Sequence, residues 1–195
     1  MKTDRYEIRL SGAGGQGIIT AGMILAEAAG IHEGKFVCQT QSYGPEARGG
    51  ASKTEIVLSS REIDYPKATQ PDVLLAMNQK SCDTYSFDLK PSALLIVDST
   101  FVRQLPTSRA LGIPFTRLAR SRLGSEVYAS VIALGALVTI SGVVSLKSIE
   151  AAVLGRAPHG TGEINRKALH LGVGEAKKVL KQREGEEVHE NSTDE

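Results

Sequence analysis

The chain has 195 residues, enough for one domain with a well-filled core, and its hydrophobic (41%) and charged (23%) fractions are those of a globular protein. A formal net charge of +1 without a lysine- or arginine-rich block argues against nucleic acid as a partner, because phosphate binding leaves a basic footprint. Cys38 and Cys82 are far apart and in no CxxC pair, so they do not supply the ligand set of a zinc or iron–sulfur site.

The sequence contains no segment typical of export or membrane insertion. The first ten residues, MKTDRYEIRL, have charges where a signal peptide has its apolar core. The longest apolar run, residues 127–140, is shorter than the ~20 residues needed to span a bilayer. We predict a cytoplasmic protein that does not bind a membrane.

The first half of the chain alternates predicted strands with glycine-rich loops. Residues 6–11 alternate apolar and charged side chains as a half-covered strand does, and residues 18–29 have the composition of a helix. Further strands are predicted at 35–41, 51–58, 73–76 and 93–97, with a helix at 78–85.

The second half is predicted to be mainly helical. A last strand is predicted at 114–118, followed by helices at 127–140, 146–154 and 163–181. The helix at 127–140 is apolar all round, so it belongs in the core, against another subunit, or both. Residues 184–195 are acidic and without periodicity, which predicts a disordered tail after a single domain of residues 1–183.

Strands that alternate with helices predict an α/β fold, here a three-layer Rossmann-like domain with a mainly parallel sheet and helices on both faces. In such sheets ligands bind at the C-terminal ends of the strands. Two glycine-rich loops follow predicted strands, so we expect both loops at that edge of the sheet.

The first loop matches G-x-G-x-x-G between a strand and a helix, and its candidate binding residues are Gly12, Gly14, Gly15, Gln16 and Gly17. Glycines let a phosphate approach the backbone, and the N–H groups at the start of a helix bind anions. The alternative is that the glycines only allow the helix to pack closely on the strand.

NAD binding also requires an acidic residue after the second strand, which holds the ribose hydroxyls. The predicted second strand instead leads into Gln41 and Ser42, and Glu33 lies before it. The sequence therefore favours a phosphate-binding loop without the dinucleotide discriminator.

The second loop, SYGPEARGG at residues 42–50, combines a proline, three glycines and a fixed cation. Arg48 could bind a carboxylate or phosphate through two hydrogen bonds, or it could simply pair with Glu46. The candidate binding residues of this loop are Tyr43, Gly44, Arg48, Gly49 and Gly50. Gln16, Gln41 and Tyr43 could contact a ligand or could tie the two loops together.

Three other polar residues are more readily explained by structure than by catalysis. His32 and His159 are expected at the surface, and Asp98 at the end of a strand is expected to cap the next segment. No Ser/His/Asp arrangement and no carboxylate pair is evident, so we predict no catalytic residue in this chain.

The two loop motifs together resemble those of a known family. SGAGGQG at residues 11–17, QSYGPEARGGAS at 41–52, IDYP at 63–66 and PDVLLAMNQ at 71–79 are similar to the gamma subunit of the 2-oxoacid:ferredoxin (acceptor) oxidoreductases. The resemblance extends from about residue 8 to residue 181, and the second and third motifs are most similar to the 2-oxoglutarate type.

The resemblance implies a subunit of an enzyme that oxidatively decarboxylates a 2-oxoacid and releases the acyl group as its coenzyme A thioester. In this family thiamine diphosphate and Mg²⁺ lie between the alpha and beta subunits. Iron–sulfur clusters on the beta subunit or on a ferredoxin-like delta subunit pass the electrons to ferredoxin. The gamma subunit is implied to lie near the active-site entrance and to contribute to coenzyme A binding.

We therefore expect the two loops to form one crevice for the phosphates of coenzyme A, with backbone N–H donors from the first loop and Arg48 from the second. The leading function is a non-catalytic gamma subunit of a 2-oxoglutarate:ferredoxin oxidoreductase. The alternatives are the gamma subunit of an enzyme for pyruvate, branched-chain oxoacids or indolepyruvate, and a stand-alone nucleotide-binding module.

Overall fold

A computed structural model of the chain describes residues 4–43 and 51–191, without the side chains of residues 51 and 186–191. Its strands are β1 (Arg5–Ala13), β2 (Phe36–Ser42), β3 (Ala51–Ser59), β4 (Val73–Ala76), β5 (Leu94–Asp98) and β6 (Leu111–Ile113). Its helices are α1 (Ile18–Gly30), α2 (Gln79–Tyr85), α3 (Phe115–Leu123), α4 (Ala129–Ser141), α5 (Leu146–Arg156) and α6 (Gly162–Asn191).

The strands form one sheet in the order β2-β3-β1-β4-β5-β6. β1, β4, β5 and β6 pair in parallel, whereas β3 is antiparallel to both of its neighbours, β1 and β2. Within the described ranges, β3 is thus the one strand that runs against the others. The predicted α/β class with a mainly parallel sheet is confirmed.

Helices cover both faces of the sheet, but unequally. On one face, α1, α4 and α6 pack on the strands, and α3 and α5 join the same large apolar core. On the other face, α2 covers a smaller cluster in which Cys82 packs on the apolar side chains of β4 and β5. All four residues of β4 are buried, as expected for a strand covered on both faces.

Helix α4 is the centre of the larger layer. Its residues from Ala129 to Val138 are all buried, and α1, α3, α5 and α6 contact it. This confirms a place in the core, and other elements of the same chain provide the cover. None of the helices in the described ranges has both the length and the apolar character required to cross a membrane.

Glycines allow α4 and α6 to touch backbone to backbone. A Cβ added to Gly172 would lie 1.8 Å from the carbonyl oxygen of Ile132, and one added to Gly135 would lie 2.1 Å from that of Leu169. Gly172 therefore serves the packing of α6 and does not interrupt the helix.

The strand predicted at 114–118 is wrong. β6 ends at Ile113, and α3 begins at Phe115, directly after Pro114. Proline suits the start of a helix because it has no N–H to leave unpaired and its φ is preset. The hydroxyl and the N–H of Thr116 bond the Asp98 carboxylate, which fixes the first turn.

The predicted domain boundary after residue 183 falls inside α6, whose backbone is helical to Asn191. Glutamate is a good helix former, and extending an existing helix avoids the cost of nucleation. An acidic sequence without an apolar stripe can therefore continue a helix whose first part is held by α4.

Candidate ligand-binding cleft

The first glycine loop connects the end of β1 to the start of α1. Gly15 and Gly17 have positive φ values of 88° and 72°, which favour glycine. A Cβ on Gly17 would also lie 2.7 Å from the Ser130 hydroxyl oxygen, and one on Gly12 would lie 2.9 Å from Ile18. Close packing therefore explains Gly12 and Gly17.

Gly14 differs from these glycines because it has neither a close neighbour nor a positive φ. A Cβ added there meets no atom within 4 Å, and its φ is outside the positive range. Neither packing nor backbone strain accounts for a glycine at this position. A binding role for Gly14 therefore stays a prediction.

Gln16 ties the loop to the sheet. Its side-chain oxygen accepts a hydrogen bond from the N–H of Ala13 (2.7 Å), and its amide nitrogen donates to the carbonyl of Met77 after β4 (3.3 Å). Of the two roles considered for Gln16, this is the internal one, and it removes the Ala13 N–H from the donors that a ligand could use.

The start of α1 offers three backbone donors. The first helical hydrogen bond runs from the N–H of Ala21 to the carbonyl of Gly17 (2.9 Å), so the N–H groups of Ile18, Ile19 and Thr20 precede it. The first turn contains no acidic residue. The positive end of the helix dipole is thus left for an anion.

These groups line a cleft of about 280 Å³ at the C-terminal edge of the sheet. Its lining is Ala13, Gly14, Gly15, Gly17, Ile18, Ile19, Thr20, Tyr43 and Ser52. The described lining contains no carboxylate, imidazole, ammonium or thiol. Its N–H and hydroxyl donors suit the binding and orientation of an anion.

The second loop starts and ends beside this cleft. Tyr43, the residue after β2, lines it, and Ala51 at the start of β3 pairs with Ala13 at the end of β1. The Ser11 hydroxyl donates to the carbonyl of Ser52 (3.0 Å). Gly44, Arg48, Gly49 and Gly50 lie outside the described residues, so their part in the cleft stays a prediction.

The two glycine loops do not leave adjacent strands of the sheet. β3 lies between β1 and β2, so the second loop joins two antiparallel strands instead of crossing over the sheet. The pairing of β3 with β1 brings Ala51, where the second loop ends, beside Ala13 of the first loop.

An ion-pair network around the buried side chain of Arg9 was not predicted. Arg9 on β1 bonds Glu55 of β3 at 2.9 Å and both carboxylate oxygens of Asp88 at 2.6 and 2.7 Å, and it lies 5.2 Å above the Tyr85 ring. Lys53 also bonds Glu55, at 2.9 Å. Burial would lower the pKa of Arg9, but the hydrogen bonds and charges of Asp88 and Glu55 outweigh it and raise this pKa.

The IDYP segment lies at the other end of β1. Arg5 donates to the carbonyls of Tyr65 and Lys67 (2.8 Å each), and Glu7 accepts from the N–H groups of Thr69 (2.7 Å) and Gln70 (2.9 Å). Residues 65–70 are thus held over the strand start, away from the glycine loop.

The remaining polar candidates have structural positions. Asp98 is buried and accepts from the N–H of Thr100 (2.9 Å) and the hydroxyl of Thr116 (2.5 Å), which confirms its predicted capping role. Glu33 accepts from the N–H of Ser145 (2.6 Å) and pairs with Lys35 (2.8 Å), so it does not serve the cleft. His32 and His159 are exposed.

The fold and the cleft define an α/β protein of the Rossmann-like class with a glycine loop suited to an anionic ligand and without the acidic residue that NAD requires. Residues 7–175 match the family model described as pyruvate ferredoxin/flavodoxin oxidoreductase. The chain belongs to this family, and the predicted kinship with the 2-oxoacid oxidoreductases is confirmed.

Two curated relatives differ in how much of their length the chain covers. The chain is 45% identical over 179 residues to 2-oxoglutarate synthase subunit KorC of Methanocaldococcus jannaschii. This match covers 90% of this chain and 96% of the relative. It is 34% identical over 134 residues to ketoisovalerate oxidoreductase subunit VorA of Methanothermobacter thermautotrophicus, covering 68% of this chain but 28% of the relative.

Two solved structures share the fold. The keto/oxoacid ferredoxin oxidoreductase gamma subunit of Geobacter sulfurreducens is 47% identical, with a TM-score of 0.83 over 91% of this chain and 99% of that one. The 2-oxoglutarate:ferredoxin oxidoreductase of Magnetococcus marinus, with 2-oxoglutarate, coenzyme A and succinyl-CoA bound, is 23% identical, with a TM-score of 0.79 over 91% of this chain and 32% of that one.

Proposed function

We propose that the chain is the gamma subunit of a multi-subunit 2-oxoglutarate:ferredoxin oxidoreductase, which converts 2-oxoglutarate to succinyl-CoA in the cytoplasm. The observation that carries this proposal is 45% identity over nearly the whole length of a 2-oxoglutarate synthase subunit. The 34% identity to a ketoisovalerate oxidoreductase subunit is lower and covers less of the chain. We therefore favour 2-oxoglutarate over the branched-chain oxoacids.

In this proposal the chemistry resides on the partners. The alpha and beta subunits hold thiamine diphosphate and Mg²⁺, and the iron–sulfur clusters lie on the beta subunit or on a ferredoxin-like delta subunit. The described cleft of this chain offers N–H and hydroxyl donors and contains no carboxylate, imidazole, ammonium or thiol. The gamma subunit would then bind and position a substrate and close the active site.

Coenzyme A is the ligand that we propose for the cleft. Its phosphates are anions of the kind that the N–H groups at the start of α1 would bind. The open space at Gly14 would let a phosphate reach the backbone, and Tyr43 also lines the cleft. The Magnetococcus enzyme, which has coenzyme A bound, shares this fold.

Substitution of Gly14 tests the cleft without disturbing the fold. In the assembled enzyme, Gly14→Ala should raise the apparent KM for coenzyme A about tenfold and leave the KM for 2-oxoglutarate unchanged, because the new methyl group fills the approach to the backbone. The measurement is coenzyme A-dependent dye reduction at several concentrations of each substrate.

The matched control is Gly174→Ala on α6, which also faces open space without a positive φ. It should leave both KM values unchanged. If the Gly14 variant behaves like this control, the cleft does not bind coenzyme A. Arg48→Ala tests the second loop in the same assay, and an unchanged coenzyme A dependence would remove Arg48 from the proposed site.

A further inference from the structure

β2 is the outermost strand of the sheet at its β3 side in the described part of the chain. Its seven residues, FVCQTQS, include no charged residue and no proline. Proteins usually protect such an edge with charges, proline or a bulge, because its unpaired N–H and C=O groups are a template for another strand. An unprotected edge of this length indicates a surface that another chain covers.

An apolar groove lies beside this edge on the α1 side. It has a volume of about 670 Å³, and its apolar lining includes Met23 and Ala26 of α1, Ile31 after α1 and Val37 of β2. Ile31 is 77% exposed, and Phe36 at the start of β2 is 50% exposed. Large apolar side chains on both sides of an open strand mark a contact surface.

The charges at the rim of the groove are already paired. Arg156 bonds Glu27 at 2.5 Å, and Lys35 bonds Glu33 at 2.8 Å and donates to the carbonyl of Val143 at 2.5 Å. The groove therefore has little net charge to attract an ionic ligand. It suits an uncharged, extended segment with apolar side chains.

The lengths of the relatives indicate what kind of chain provides this segment. In the VorA relative, the part matched by this chain is joined covalently to a much longer remainder, since the match covers 28% of that protein. In the KorC relative, by contrast, the match covers 96% of the protein, so there the corresponding part is a separate chain and would hold the equivalent of that remainder by contacts. Helix α4, the most apolar helix, is covered by the chain itself and is not available for this contact.

We propose that β2 and the groove of Met23, Ala26, Ile31 and Val37 bind an extended, uncharged segment of the larger partner subunit, which adds a strand to the sheet. Main-chain hydrogen bonds to β2 would supply affinity, and an apolar side chain in the groove would supply specificity. This inference rests on the proposed subunit role.

Hydrogen exchange of the purified chain and of the assembled complex tests where the partner binds. The N–H groups of β2 should become protected in the complex. Phe36→Asp and Ile31→Asp should each weaken binding to the purified larger subunits at least about tenfold, because they place a charge where apolar surface is buried. Ile31 lies outside the strand, so its substitution leaves the sheet intact.

The matched control is Phe87→Asp, on the turn after α2, where the phenylalanine is 81% exposed and is not part of the groove. The affinity of the Phe87→Asp variant for the larger subunits should equal that of the wild type. The inference is overturned, and the proposed function is not, if the chain binds the larger subunits while the N–H groups of β2 stay unprotected. The same holds if Phe36→Asp and Phe87→Asp reduce the affinity equally. A chain that dimerises through β2 also overturns the inference, and a chain that binds no such subunits overturns the proposed function itself.

Discussion

Tyr6 on β1 shows how burial sets the chemistry of one residue. Its side chain is partly buried against the core, and this burial, assisted by the charge of Asp72, raises its pKa from 10.0 to about 12. Above pH 10 the same tyrosine ionises in the unfolded chain while it stays neutral in the folded one. The contribution of neutral, buried Tyr6 to the free energy of unfolding is therefore fully present below pH 10 and is lost as the pH rises towards 12.

Substitution of Tyr6 should make this pH dependence visible. Between pH 10 and pH 12 the wild type should lose more free energy of unfolding than Tyr6→Phe, which has no hydroxyl to ionise. Urea denaturation at a series of pH values measures the difference. Identical slopes for the two proteins would show that Tyr6 is not the source.

For single residues, the sequence predicted the local role of Asp98 but missed the role of Arg9, whose partners are distant in sequence. The capping role of Asp98 follows from its position at the end of a strand. The burial of Arg9 does not, because a strand that alternates apolar and charged side chains normally turns the charges to water. Only the pairing of β1 with β3 and the position of Asp88 after α2 reveal that Arg9 is enclosed.

Among the elements, α6 includes the glycines Gly172 and Gly174, which the sequence does not distinguish. Gly172 lies against the backbone of α4, whereas Gly174, two residues on, faces open space. Gly172→Ala should lower the free energy of unfolding by about 2 kcal/mol or more, because the helices must separate. Gly174→Ala should instead raise it by up to about 1 kcal/mol, from the better helix propensity of alanine.

Chemical denaturation of both variants measures this contrast, and a similar effect of the two changes would contradict the close helix contact.

The elements also show where sequence patterns suffice. The fully apolar strand at 73–76 was predicted residue for residue, because burial on both faces leaves a continuous apolar run. The helix after Pro114 was missed because a segment as short as residues 114–118, PFTRL, does not show whether its apolar residues follow the period of a strand or of a helix.

For the whole molecule, the predicted domain ends at residue 183 although the helix continues. A chain that stops after Arg183 should keep its thermal midpoint, with a change in free energy of unfolding within about 0.5 kcal/mol, because the predicted domain ends at that residue. Circular dichroism melts measure this. A chain that stops after Gly174 is the control and should be destabilised, since it loses the buried Ala176.

A large loss of stability when only residues 184–195 are removed would show that they belong to the domain.

The direction of β3 is the feature of the whole molecule that the sequence could not provide. An alternating pattern gives the face of a strand but not its neighbours or its direction, because these depend on contacts distant in sequence.

Helix α4 has a consequence for how an enzyme containing this chain is put together. A polypeptide whose most apolar helix is wrapped by its own neighbours does not need a second polypeptide to finish folding. Such a polypeptide can be synthesised and folded first and can bind the other subunits later. Assembly then becomes a reversible docking step, and its order and yield depend on the concentrations of finished parts.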